Sequence, residues 1–129
     1  SAQVLADNLR AMPVLGKTHA VVAMLADKDL SSTLKHLNGV VSEWYPAGLA
    51  VLRGADGAVL QQALSDIGEE SRASYVTVTE AIVAVQQRAQ PSDRIVIFGS
   101  FFTVAEAMVA SGIQPSATLA LPCVLPKTV

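Results

Sequence analysis

The sequence predicts an α/β domain built on a mainly parallel sheet with helices on both faces, and three observations carry that prediction. Short apolar runs of strand length alternate with stretches whose apolar residues recur at helical spacing. Ile95-Val-Ile-Phe98 is an unbroken apolar run, mostly β-branched, which suits a strand buried on both faces. Gly99 ends that run, and Thr103-Val-Ala-Glu106 then has the spacing of a capping box, so a helix is expected from there.

Taken in order, Val4, Leu5, Leu9 and Met12 share one helical face, and Pro13 and Gly16 stop that helix. His19-Ala-Val-Val-Ala-Met-Leu25 has the length and character of a strand, and Ala26-Asp-Lys-Asp29 is a charged turn. Asp29, Ser31 or Ser32 can cap a second helix, in which Leu30, Leu34, Leu37, Val41 and Trp44 form a stripe ended by Pro46 and Gly48. Gly48-Leu-Ala-Val-Leu52 is expected as the second strand, followed by the loop Arg53-Gly-Ala-Asp-Gly57. Val59, Leu60, Ala63, Leu64 and Ile67 make a third helix, closed by Gly68. Tyr75-Val-Thr-Val78 is expected as a short third strand, and Thr77-Val-Thr-Glu80 repeats the capping-box spacing ahead of a helix through Ile82, Val85 and Ala89. Pro91-Ser-Asp93 turns the chain into the strand at Ile95. Past Gly112 the prolines exclude a helix, and residues 113–129 are expected to be a tail that adds one edge strand.

The 129 residues suffice for one domain with a real core. Hydrophobic residues make up 51% and charged residues 16%, a globular composition and not a disordered one. Nine basic residues against eleven acidic ones give a net charge of −2 without a basic patch, which argues against nucleic-acid binding. No apolar run reaches the roughly 18 residues of a membrane span, and no signal-peptide pattern opens the chain. The single cysteine, Cys123, makes no internal disulfide, in keeping with a reducing, cytoplasmic setting. Ser1-Ala-Gln-Val-Leu5 lacks an initiator Met and enters helical periodicity at once, so a piece of a longer protein is expected. No second apolar stripe is left unassigned, so a monomer is expected.

In sheets of this kind ligands bind at the carboxyl ends of the strands. That rule selects three loops, Asp27-Lys28-Asp29, Arg53-Gly-Ala55 and Gly99-Ser-Phe-Phe102, and places them on one edge. The turn at Ser100 leads into a helix N-terminus, where free N–H groups and the helix dipole suit a carboxylate or phosphate. The plainer readings are a turn needing Gly99 and Ser100 only for its backbone, Lys28 as a solvated charge, Asp29 as an N-cap and Arg53 as a loop cation. The chain has no G-x-G-x-x-G, no P-loop, no metal-ligand spacing around His19 or His36 and no nucleophile elbow. By itself it carries no complete catalytic apparatus.

Met24-Leu-Ala-Asp-Lys-Asp29, Trp44-Tyr45, Arg53-Gly-Ala55 and Phe98-Gly-Ser-Phe-Phe-Thr-Val104 together resemble one family in order and spacing. They are similar to the C-terminal domain of the folylpolyglutamate synthases, in particular the bacterial bifunctional dihydrofolate synthase form, within the Mur-ligase superfamily. The resemblance implies a three-layer Rossmann-like domain over residues 1–112. It also implies an ATP-dependent ligase that adds L-glutamate to dihydropteroate or a folate through an acyl phosphate. ATP and Mg2+ would be held mainly by an N-terminal ATP-binding domain outside this chain. Ser100 matches the serine implied to contact the incoming glutamate, and Phe102 stands at the aromatic-or-histidine position beside it, where it donates no hydrogen bond. Asp27, Lys28, Asp29 and Arg53 match turns implied to border the interdomain cleft near the nucleotide. No metal ligand and no catalytic residue is implied within this piece. The sequence departs from the family pattern at Leu52, usually proline, and at Ala23, usually glycine. The family's Asp-x-Ala-His-Asn-Pro motif is expected just before Ser1. Two rivals remain: a stand-alone regulatory domain binding a small carboxylate or nucleotide, and the C-terminal domain of another Mur-type amino-acid ligase.

Overall fold

The first helix forms where the apolar positions repeat: α1 spans Ala2–Ala11 and buries Ala6 and Leu9. In the computed structural model the described residues are 2–11, 16–25, 30–48, 54–99 and 123–126. The stop at Pro13, the expected strand core from Leu49 to Leu52, the helix from Thr103 and most of the tail lie outside them. The central strand β1 (Thr18–Ala23) is buried at every position, as suits the apolar run Ala20–Ala23, with the polar Thr18 and His19 buried at its start. The short helix α2 (Leu30–Lys35) and the strand β2 (Glu43–Pro46) follow. Then come α3 (Gly57–Asp66), α4 (Val78–Arg88), β3 (Arg94–Gly99) and β4 (Cys123–Pro126).

The sheet order is β2-β1-β3-β4. β1 runs parallel to β2 and to β3, whereas β4 closes the far edge antiparallel to β3. Alternation along the strands divides the core into two layers. Ala20 and Val22 of β1, Trp44 of β2 and Val96 and Phe98 of β3 pack with residues of α1, α2 and α3 on one face. Val21, Ala23, Tyr45, Ile95 and Ile97 pack under Val78, Ala81, Ile82 and Val85 of α4 on the other. This is the expected three-layer, Rossmann-like α/β arrangement.

Three sequence expectations need correction. The second helix does not reach Trp44. It ends at Lys35, the chain tightens through turns such as Leu37 N–H to the Leu34 carbonyl (3.0 Å), and Gly39 takes φ 79°. Leu37 and Val41 are buried as the stripe requires, but Trp44 is buried from a strand, with Ala20 as its β1 partner. The second strand therefore precedes Gly48. At Tyr75-Val-Thr-Val78 only Tyr75 pairs, through one parallel bridge to Ala47. Thr77 is the N-cap of α4, its hydroxyl accepting from Glu80 N–H at 3.1 Å, and Val78 is already helical. Capping prevails there over β-propensity. In α3, Val59 faces solvent and does not join the apolar stripe. The end of that helix follows expectation: Gly68 at φ 82° and the bonds Gly68 N–H to Ser65 O and Glu69 N–H to Leu64 O make a Schellman motif.

Candidate functional site

The carboxyl edge of the sheet is set by backbone register. Ala23, the last residue of β1, is paired with Gly99, the last residue of β3. Just beyond it, Leu25 bridges Gly54 and Ala55 N–H donates to the Met24 carbonyl at 2.9 Å. The described residues that flank the three candidate loops, Leu25, Gly54 and Gly99, are thus gathered at one end of β1 and β3, as the topology argument requires. The candidate side chains themselves, Asp27, Lys28, Asp29, Arg53, Ser100 and Phe102, lie outside the described residues. Among the described residues no three His, Cys, Asp or Glu side chains are grouped to hold a metal ion.

Two glycines let the chain approach this edge. A Cβ on Gly57, the first residue of α3, would stand 2.5 Å from the Tyr75 carbonyl oxygen and 3.1 Å from that of Pro46. One on Gly48 would overlap the Val76 carbonyl. The 75–76 segment can lie against β2 and the start of α3 only because both side chains are missing.

The amino edge holds a polar cluster that sequence reasoning did not assemble. His19, 1% exposed, has Nε2 at 2.8 Å from Asp93 Oδ2 and Nδ1 at 2.9 Å from the Tyr45 hydroxyl. An ionised Asp93 only accepts, so Nε2–H donates to it, and in the tautomer protonated at Nε2 alone Nδ1 accepts from the Tyr45 O–H. Glu43 Oε2 lies 3.4 Å from Nδ1, and its Oε1 is 3.3 Å from both Arg72 and Arg88. Asp93 also accepts from Lys17 N–H (2.8 Å) and Gln90 N–H (3.0 Å).

These contacts shift two groups. The Gln90 N–H does most to pull the Asp93 carboxyl down to about 2, against the opposing effect of burial, with His19 and Lys17 N–H assisting. Burial foremost, then the Glu43 charge, pushes Tyr45 up to about 12. Hydroxyl, imidazole and carboxylate in line have the connectivity of a nucleophile, a base and its orienter. The burial and the pKa direction argue against that chemistry. Tyr45 is only 2% exposed, and its phenol is harder to ionise than an ordinary tyrosine. The cluster instead ties the starts of β1 and β2 to the turn before β3.

Residues 1–101 match the family described as Mur ligase, glutamate ligase domain. The chain belongs to this family. It is 37% identical over 108 residues to the dihydrofolate synthase/folylpolyglutamate synthase of Escherichia coli, a match that covers 84% of this chain and 24% of that protein. The solved structure of E. coli FolC in complex with DHPP and ADP superimposes with a TM-score of 0.75 at 36% identity, covering 86% of this chain and 26% of the other. A bifunctional folylpolyglutamate synthase/dihydrofolate synthase with Mn, AMPPNP and L-glutamate bound gives a TM-score of 0.73 at 36% identity, covering 87% and 26%. The chain therefore spans about a quarter of the length of the relatives it matches. No described helix of this glutamate ligase domain is long and apolar enough to cross a membrane.

The only trace of the amino-edge cluster in the sequence is a histidine opening an apolar strand and an aspartate ending a turn before another. Their pairing spans 74 positions, and no local pattern encodes it.

Proposed function

We propose that residues 1–112 form the C-terminal domain of an ATP-dependent acid–amino-acid ligase. The full-length enzyme joins L-glutamate to dihydropteroate or a folate, in folate biosynthesis and polyglutamylation. The observation that carries this reading is the glutamate ligase family match over residues 1–101. Further support comes from the gathering of Leu25, Gly54 and Gly99 at one sheet edge and from the ADP, DHPP, AMPPNP, Mn and L-glutamate bound to the similar proteins.

In this reaction a carboxylate oxygen of the pteroate or folate attacks the γ-phosphorus of ATP, forming an acyl phosphate and releasing ADP. The glutamate amine, once deprotonated, attacks the acyl carbon, and inorganic phosphate leaves with the electron pair of the broken C–O bond. Both steps depend on holding anionic partners together and neutralising charge, more than on a covalent role for the protein. In this proposal Ser100 hydrogen-bonds the incoming glutamate and Phe102 walls the same pocket. Asp27, Lys28, Asp29 and Arg53 border the cleft beside the nucleotide. ATP and Mg2+ are assigned mainly to the N-terminal domain. Residues 113–129 are a tail that contributes β4 (Cys123–Pro126). The enzyme acts in the cytoplasm as a monomer.

The test is Ser100→Ala in the full-length ligase. Loss of one hydrogen bond to a charged group should raise the KM for glutamate about tenfold while leaving the KM for ATP unchanged. An unaltered glutamate KM rejects the role of Ser100. The 129-residue chain alone should show no glutamate-dependent ATP hydrolysis with dihydropteroate or tetrahydrofolate, and turnover by it would contradict the division of labour.

A further inference from the structure

Along the outer side of β2 lies an open cavity of about 310 Å³ between that strand, the 70–75 segment and the end of α4. Its lining includes Trp44, Tyr75, Glu43, Glu70, Arg72 and Arg88. We infer that this cavity, which runs along the free edge of β2, binds a free amino acid with an aromatic or apolar side chain. The charges argue for a zwitterion. Arg72 and Arg88, from different elements, converge on one oxygen, Glu43 Oε1, each at 3.3 Å. A charge-assisted bond is usually about 2.7–2.9 Å, so one oxygen serves two guanidinium groups at long range. A guanidinium carries five N–H donors. The contacts to Glu43 occupy Nε and Nη2 of Arg72 and Nη2 of Arg88, leaving a fork for a second carboxylate.

Glu43 is already engaged, with its other oxygen turned to His19. Glu70 supplies the anionic end for an ammonium group. Two arginines against Glu43 and Glu70 leave the lining neutral, which favours a ligand that is itself neutral overall. Its side chain would rest against Tyr75, whose ring stacks on Tyr45 with centroids 6.1 Å apart. The volume stands at the small end of ligand pockets, of a size for one amino acid.

Titration of the full chain with L-phenylalanine tests this through the emission of Trp44, the chain's single tryptophan. A saturable change with a Kd below about 1 mM is expected. Phenylacetate, lacking the ammonium, and phenethylamine, lacking the carboxylate, should each bind at least tenfold more weakly. Arg72 is 69% exposed at its side chain, so Arg72→Gln should keep the wild-type melting temperature and weaken L-phenylalanine at least tenfold. Glu70→Gln should do the same and narrow the gap to phenylacetate. An absence of saturation, equal binding of phenylacetate, or unchanged affinity in Arg72→Gln overturns the assignment.

Discussion

His19 Nε2 lies 2.8 Å from Asp93 Oδ2, which ties the start of the central strand to the turn that launches its parallel neighbour. Both side chains are buried, and Asp93 also takes the backbone N–H groups of Lys17 and Gln90. Removing the carboxylate would strand an imidazole and two amides. Asp93→Ala should therefore cost about 3 kcal/mol, measured as a shift of the urea midpoint at constant m-value.

Acid should expose the same carboxylate. Its folded pKa is depressed from 3.8 to about 2, so its contribution is present above the unfolded value and is lost as pH falls from about 4 through 2. Urea titrations across that window should show a steeper loss in the wild type than in Asp93→Asn. Parallel slopes in the two proteins would contradict the assignment.

The alkaline side belongs to Tyr45. Its folded pKa is raised from 10.0 to about 12, so the neutral phenol stabilises the fold below pH 10, and that contribution disappears as pH rises through 12. Wild-type melting temperature should fall across that window more than that of Tyr45→Phe. In a Tyr75→Phe background, which leaves Tyr45 as the single tyrosine, phenolate absorbance should appear near pH 12 and not near pH 10.

Gly57 offers a steric test. Gly57→Ala places a methyl group against the Tyr75 carbonyl and should destabilise by about 1–3 kcal/mol, read as a lower melting temperature. Gly68→Ala tests a different cause, since nothing lies within 4 Å of its Cβ but φ is +82°. A loss of about 1 kcal/mol is expected there from the left-handed backbone alone.

Thr77→Ala removes the hydroxyl that accepts from Glu80 N–H and should cost about 1 kcal/mol. A serine there should restore most of it. Equal stability of Ala and Ser variants would remove the capping role.

The carboxyl edge was legible because it follows from rules that need only element order. A strand, a helix and a parallel strand place their loops at one end, and the residues flanking those loops, Leu25, Gly54 and Gly99, are gathered there. Trp44 reads as helical in the sequence because its spacing from Leu37 and Val41 fits a helix. The left-handed turn at Gly39 breaks that periodicity, and burial of the same stripe is then achieved from strand and turn together. Tyr75-Val-Thr-Val78 reads as a strand by composition but opens a helix, because β-propensity is weak beside a cap that satisfies backbone donors.

The sequence by itself determined the fold class, the helix closed by Gly68, the helix capped at Thr77, and the family, because these rest on periodicity, capping and motif order within short windows. The tertiary structure alone decided the position of β2, the joining of His19, Asp93, Tyr45 and Glu43, and the cavity beside Arg72 and Arg88. Each of these depends on groups far apart in the chain, brought together by the register of parallel strands. Hydrogen bonds between buried polar groups carry a large energetic penalty if unmade, yet they leave no periodic trace in the residues that make them.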